Sequence, residues 1–392
     1  MKGEKDMLQV GVIGIGNCGN QVALLAHKEA GCDVYAINTS DNDLAMLPDD
    51  IPRRAIGKGE GSGKNRADAK KYLKGAIMEL IAEEEFKNFL ASKDVILVVS
   101  SAGGGTGSGI APLLSKIISS TARHADGTPK LVILVGVLPR IAEGYSTQVN
   151  ALDYTREIYE VLERPTYMLY DNNAYKNEKS YVVLEKVNRD IVEDIKVMQC
   201  RYNAATPYDS IDEADMKTLL SSPGRIAIFR LAGIKEKDLD EITIEDLLIE
   251  RIKKSSHAEM QRDGIVMRTG VITNLDPRLN EVFDTHIPKI REFVGEPVEE
   301  FLHVSVNDDR ALPNNVFLLL TGLSKVQDRI NKIDDRIDEI NKDQEEKQKA
   351  LDAAAGVSAE DIARMNEKRQ YRSADNTGTA PDLKDIFADF GA

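Results

Sequence analysis

The chain has 392 residues and a formal net charge of −14. That length holds two or three domains with sizeable cores, and the negative charge argues against nonspecific nucleic-acid binding and against an anionic membrane surface. Cys18, Cys32 and Cys200 have no metal spacing and cannot make a disulfide framework; no apolar run approaches the roughly 18 residues of a spanning helix, and no apolar stretch follows the opening MKGEKDM, so the expectation is a cytoplasmic protein in a reducing compartment.

Leu8–Gly14 reads as a buried strand, followed by a glycine-rich turn and a helix from about Gly19 to Glu29. Asp33–Asn38 is a second strand, 51–66 a loop rich in Gly and Lys, and 66–91 a helix. A strand at 94–100, a helix at 108–124, a strand at 131–137, a helix at 146–163 and a strand at 166–170 follow. Strands alternating with helices predict an α/β fold built on a doubly wound, mostly parallel sheet. A long helix runs from about Lys179 to Cys200.

After Pro207 the texture changes. Runs at 226–230, 264–268, 301–306 and 316–320 read as strands, with helices near 243–254 and 277–293. The expected organisation is a nucleotide-binding domain at 1–178, a central helix with its following lead-in at 179–206, and a smaller α/β domain at 207–321. A long charged helix at 322–350 and a flexible tail at 351–392 complete it. On the charged helix Leu323, Val326, Ile330, Ile333, Ile337 and Ile340 alternate spacings of three and four. Such a seam packs either on its own domain or on a neighbouring subunit. In the final PDLKDIFADFGA, Leu383, Ile386, Phe387 and Phe390 share a helical face. That pattern suits a peptide that docks in a partner's groove, or a C-terminal helix docked on its own body.

Two glycine turns carry the chemistry. Gly14-Ile15-Gly16-Asn17-Cys18-Gly19 matches G-x-G-x-x-G after a strand, a weak dinucleotide signal by itself. A ribose-binding acid is expected at the end of the second strand; Asn38-Thr39-Ser40 stands there, with Asp41 next. The second turn, Ser101–Gly109, reads SAGGGTGSG. Glycines let backbone N–H groups close around an anion, and a helix starting at the loop's end adds its positive dipole. The loop lacks the G-K-[ST] ending of a P-loop. Its position between a buried strand and an apolar helix assigns it to phosphate.

These motifs are similar to those of the tubulin and FtsZ superfamily of GTPases. GGGTGSG at 103–109 resembles the signature loop, which implies phosphate contacts from Gly103, Gly104, Gly105, Thr106, Gly107 and Ser108. Gly16-Asn17-Cys18-Gly19-Asn20-Gln21 resembles tubulin's G-Q-C-G-N-Q, implying nucleotide contacts from Gly16, Asn17, Cys18, Gly19 and Gln21. Asn38-Thr39 resembles the start of the second loop, and Gly57–Arg66, with Gly61, Ser62 and Gly63, the third loop near the γ-phosphate. Pro139–Gly144 resembles P-F-x-F-E-G and implies Glu143 at the ribose; Thr147 stands where the family has an arginine. The resemblance places Asn172 or Asn173 at the sugar and base and Asn188 at the guanine. Ser210-Ile211-Asp212-Glu213-Ala214-Asp215 resembles N-x-D-x-x-D. It implies Asp212 and Asp215 as the catalytic pair that reaches the next subunit's nucleotide, with Ser210 in place of the asparagine. On spacing alone the two aspartates read equally as helix-capping charge.

The resemblance implies a GTPase that binds GTP/GDP with Mg²⁺ and polymerises head to tail. No metal ligands on the protein are assigned. The departures resemble the TubZ-like plasmid and phage segregation filaments, which implies an adaptor protein on the tail and no direct nucleic-acid or membrane contact. A division filament is the alternative within this class. An NAD-dependent oxidoreductase built on the 14–19 turn and a nonhydrolysing nucleotide-binding scaffold are the alternatives outside it.

Overall fold

The runs richest in Val, Ile and Leu become strands covered on both faces, as parallel sheets require. A computed structural model describes residues 8–162, 164–199, 210–235, 239, 242–258, 264–307, 313–354 and 363–364. In the first half the order is β1 (Val10–Ile15), α1 (Gly16–Ala30), β2 (Asp33–Asn38), α2 (Asp41–Ala45), β3 (Arg53–Ala55), α3 (Arg66–Ala82), α4 (Glu84–Ala91), β4 (Val95–Ser101), α5 (Thr106–Thr121), β5 (Leu131–Leu138), α6 (Tyr145–Val161) and β6 (Thr166–Asp171). A 3-10 turn (Asn172–Tyr175) leads to α7 (Ser180–Met198) and α8 (Glu213–Leu220). Then come β7 (Gly224–Ile234), α9 (Ile244–Lys253), β8 (Arg268–Leu275), α10 (Pro277–Val282), α11 (Pro288–Val294), β9 (Glu299–Val306), β10 (Asn314–Leu323) and α12 (Gln327–Ala354).

The ten strands form one sheet, ordered β3-β2-β1-β4-β5-β6-β7-β10-β8-β9. From β3 to β7 every pairing is parallel, so the turns after β1 and β4 emerge side by side at one end. β10 runs antiparallel to both β7 and β8. The α/β class with a mostly parallel sheet is thus the observed one. Residues 1–336 make one compact unit; 337–392 make a second, described only in the helical residues up to Ala354 and at 363–364. No described helix is long and apolar enough to cross a membrane.

Several elements differ from expectation. The 66–91 helix breaks at Glu83, whose backbone is extended (ψ 127°) while its carboxylate accepts from the Tyr35 hydroxyl at 3.2 Å. The strand expected at 264–268 starts only at Arg268, where pairing with β10 begins. The 277–293 helix divides because Ile287 takes a left-handed conformation (φ 46°) before Pro288, which opens α11. Leu323 belongs to β10 rather than to the charged helix, which starts at Gln327. Leu323, Val326 and Ile333 of the apolar seam are buried within the first unit. The tail face at 383–390 and Cys200 lie outside the described residues.

A buried polar cluster fixes α7 between the two halves of the sheet. Asp194, 1 % exposed, accepts from the Tyr170 hydroxyl at 2.7 Å and from Arg230 Nε at 2.9 Å, and lies 2.9 Å from His257 Nε2. A carboxylate so deeply buried requires such partners.

Candidate functional site

The backbone of the two glycine turns interlocks. Gly16 opens α1 with φ 70°, a conformation that disfavours side chains, and a Cβ there lies 3.2 Å from the Gly107 nitrogen. α5 starts at Thr106 with no side-chain cap, so its first N–H groups and the positive end of its dipole face outward from the turn. At Gly105 a Cβ meets Ser62 Oγ at 2.3 Å and the Lys64 carbonyl carbon at 2.6 Å; the third loop lies directly against the phosphate loop there. Nothing lies within 4 Å of a Cβ on Gly104, which leaves that glycine as the open floor of a cup. Gly103 is packed against Thr147, and Gly19 against the Val99 carbonyl, so these two serve close packing.

Hydroxyls gather at the mouth. Thr106 Oγ1 lies 2.6 Å from Thr39 Oγ1 and 3.1 Å from Ser62 Oγ. The structure thus joins three loops that the sequence reading treated separately, and adds Thr39 as a site residue. Asn150 directs its amide at the carbonyls of Lys64 (3.0 Å), Gly103 (3.2 Å) and Gly104 (3.3 Å). Arg66, buried, binds the Ser108 carbonyl and the carboxylates of Glu157 and Asp153, pinning α3 to α5 and α6. The Ser108 hydroxyl donates to the Gly104 carbonyl, an intraloop bond.

Lys64 was not among the expected site residues. Its backbone is left-handed (φ 64°), and its ammonium donates to Thr147 Oγ1 at 3.1 Å, the position without the family arginine. The side chain therefore runs from the Gly105 side of the cup to the Gly103 side. The Gly-Lys pair was visible in the sequence, but only the fold brings it over the loop.

On the sugar-and-base side, Glu143 is half-buried and accepts from its own loop at Arg140 N (2.8 Å). Asn172 is buried with no partner for Oδ1 among the described residues, and Asn173 N–H donates to Asp171 Oδ1 at 2.9 Å. Asn17 and Gln21 stand exposed one turn apart on α1. Asn188 stands half-buried on α7, the helix packed against α1. Asn20, 1 % exposed, has no hydrogen-bond partner for either amide atom among the described residues. Burial pushes the Cys18 thiol up to about 12, so it stays neutral. Asn38 is occupied structurally: Oδ1 accepts from Thr39 N–H at 2.8 Å, and Nδ2 donates to Asp43. Gly61 and Gly63 continue the third loop with positive φ.

Asp212 and Asp215 lie elsewhere. Asp212 caps α8, accepting from Asp215 N–H at 2.8 Å, while the Asp215 carboxylate accepts from Asp212 N–H at 3.2 Å. Lys217 of the same helix pairs with Asp94 at 2.9 Å, and Asp94 accepts from Gln9 N–H at 2.9 Å. Asp94 and Gln9 precede β4 and β1, so α8 sits at the opposite strand ends from the cup. Seven residues of β4 span about 20 Å. Ile211 N–H donates to His303 Nδ1 at 3.3 Å, and burial holds that imidazole below its ordinary pKa. Among the described residues no group of three or more His, Cys, Asp or Glu side chains could hold a metal ion. A Mg²⁺ here would rest largely on phosphate oxygens and water, the usual preference of that ion.

Residues 9–178 match the Tubulin/FtsZ family, GTPase domain. The tubulin-like protein CetZ of Pyrococcus furiosus is 27 % identical over 288 residues, covering 70 % of this chain and 75 % of that protein. The tail-truncated TubZ of Clostridium botulinum phage c-st superposes with a TM-score of 0.69 at 22 % identity, over 86 % of this chain and 98 % of that one. TubZ of Bacillus thuringiensis serovar israelensis, solved as GDP-form protofilaments, gives 0.70 at 17 % identity, over 90 % of this chain and 95 % of that one. The interlocked glycine turns and the parallel sheet that positions them agree with these likenesses and with the match of residues 9–178 to the GTPase domain of the Tubulin/FtsZ family.

Proposed function

We propose that this protein binds GTP in the cup, assembles head to tail with copies of itself, and hydrolyses GTP at the junction. One observation carries the reading. The anion-binding cup and the Asp212–Asp215 pair occupy opposite ends of the same parallel strands. A chain cannot bring its own pair to its own cup. A second copy stacked end on end can, and such a heterologous contact does not close, so it generates filaments. The likeness to a TubZ solved as protofilaments supports the same arrangement.

In this reading the triphosphate rests on the amides of Gly103–Gly107 and the N-terminus of α5, with Thr39, Ser62 and Thr106 supplying hydroxyls. The Asn20 amide and the Asn172 Oδ1, without partners among the described residues, fit a site whose ligand provides them. Glu143 takes the ribose, and Asn17, Gln21, Asn173 and Asn188 line the purine side. Mg²⁺ would supply charge neutralisation on the phosphate oxygens. From the neighbouring copy Asp212 and Asp215 orient a water for in-line attack on the γ-phosphorus. Phosphate leaves, the contact weakens, and the filament becomes dynamic. Residues 207–321 act as the part that carries the carboxylates to the next subunit.

Sedimentation with GTP, GDP, ATP and NAD, with phosphate release followed in parallel, tests the reading. GTP-specific pelleting with turnover that rises steeply with protein concentration is expected; turnover per subunit independent of concentration sinks the shared site. A nicotinamide oxidoreductase instead binds NAD and forms no polymer. For cargo we propose DNA positioning through an adaptor on residues 380–392, where Leu383, Ile386, Phe387 and Phe390 fall at helical spacing. Removing those residues is expected to spare assembly and abolish adaptor binding.

A further inference from the structure

In the first turns of α12 a guanidinium is buried almost as deeply as the aliphatic Ile333. Arg329 is 2 % exposed, while the neighbouring Ile330 of the apolar seam is only half-buried. Arg329 Nε donates to Asp171 Oδ2 at 2.6 Å and Nη2 to Asp171 Oδ1 at 3.0 Å, a two-pronged pair. Nη2 also donates to the Pro139 carbonyl at 2.5 Å. Nη1 is buried without a partner among the described residues.

Both partners sit where nucleotide loops begin. Asp171 ends β6, and its Oδ1 also accepts from Asn173 N–H, which starts the turn holding Asn172 and Asn173. Pro139 follows β5 and opens the loop to Glu143. The two loops are further joined by Arg140, whose Nη2 donates to the carbonyls of Glu178 (2.6 Å) and Tyr175 (3.4 Å). An apolar residue at 329 fills the same interior without the cost of burying a charge. The guanidinium instead spends its donors on the two strand ends that launch these loops.

We propose that Arg329 is a positioning residue for the nucleotide: α12 reaches beneath the site and fixes, through Asp171 and Pro139, the loops that meet the sugar and base. The proposal rests on the nucleotide reading of the cup and adds α12 to it. It acts on the part of the ligand that GTP and GDP share, and leaves the phosphate loop at 103–109 untouched.

The test uses the full chain with Arg329→Lys and Arg329→Met, and Asp171→Asn combined with Arg329→Met so that no lone buried charge remains. Titration with GTP and with GDP is paired with amide hydrogen exchange on the free protein. Affinity for both nucleotides is expected to fall together, by about tenfold or more in Arg329→Met. Exchange is expected to rise at 139–144 and 172–178 and to stay unchanged at 103–109. Folded variants that bind both nucleotides within twofold of the parent overturn the proposal, as does faster exchange spread evenly over the chain. If Arg329→Met does not fold, Arg329→Lys and the double variant carry the same reading. A parent chain that binds neither nucleotide sinks the GTP reading instead, a result that no Arg329 variant can mimic.

Discussion

The two ends of the parallel sheet are built from opposite materials. At the cup end the groups on offer are backbone amides, a helix terminus and the hydroxyls of Thr39, Ser62 and Thr106. At the other end Asp94, Lys217, Glu213, Asp212 and Asp215 form a charged cluster around α8. The first gathers N–H and O–H donors suited to a polyanion; the second gathers carboxylates around a helix start. In the proposed reading each end is half of a reaction centre, and the contrast explains why such a chemistry would need a contact between copies.

The sharpest way to break that comparison is to disable each end separately. Asp212→Asn with Asp215→Asn retains helix-capping groups but removes both charges. GTP turnover is expected to fall about 10²–10⁴-fold with nucleotide affinity unchanged. Gly105→Val drives a side chain into Ser62 and Lys64 and is expected to weaken GTP binding by about 10²-fold. Mixing the two inactive proteins should restore part of the turnover measured by phosphate release, since mixed junctions contain one intact cup and one intact carboxylate pair. No recovery at concentrations that pellet would falsify the shared centre.

Smaller changes sharpen each half. Lys64→Ala removes a cation held on Thr147, which packs on Gly103, and a lost hydrogen bond to a charged group predicts roughly 10-fold weaker GTP binding by titration. GDP should be less affected, because the third loop approaches from the sheet edge farthest from the β6 loop. The smallest expected effect is at His303, which accepts the Ile211 N–H only as the neutral imidazole. Its folded pKa is depressed, so between that value and about 6.5 the unfolded chain binds the extra proton. Stability from this group is whole above about pH 6.5 and declines as pH falls below it. Denaturant melts at pH 7.5 and 5.5 should show a pH-dependent loss of about 1 kcal/mol that His303→Gln reduces; equal losses in both proteins remove His303 from the account.

Much of the fold was legible because its signals are local. Val95–Val99 and Leu131–Leu138 are runs that can be buried only as interior strands, and SAGGGTGSG between strand and helix has few other uses. Glycine positions likewise announced the cup. The burial of Arg329 was not legible, because the apolar seam of 323–340 treats residue 329 as outside the stripe. Its partners, Asp171 and Pro139, are 158 and 190 residues away. Asn38, expected at the nucleotide, is held by Asp43 and its own turn.

By itself, the sequence determined the parallel α/β class, the two glycine turns and the carboxylate spacing at 212–215, because backbone conformation and strand burial depend on neighbouring residues. Only the tertiary structure decided that Lys64 reaches Thr147, that Arg329 binds Asp171 and the Pro139 carbonyl, and that Asp212 lies at the strand ends opposite the cup. Those facts are distances between segments far apart in the chain, and such distances are set by how helices and strands pack.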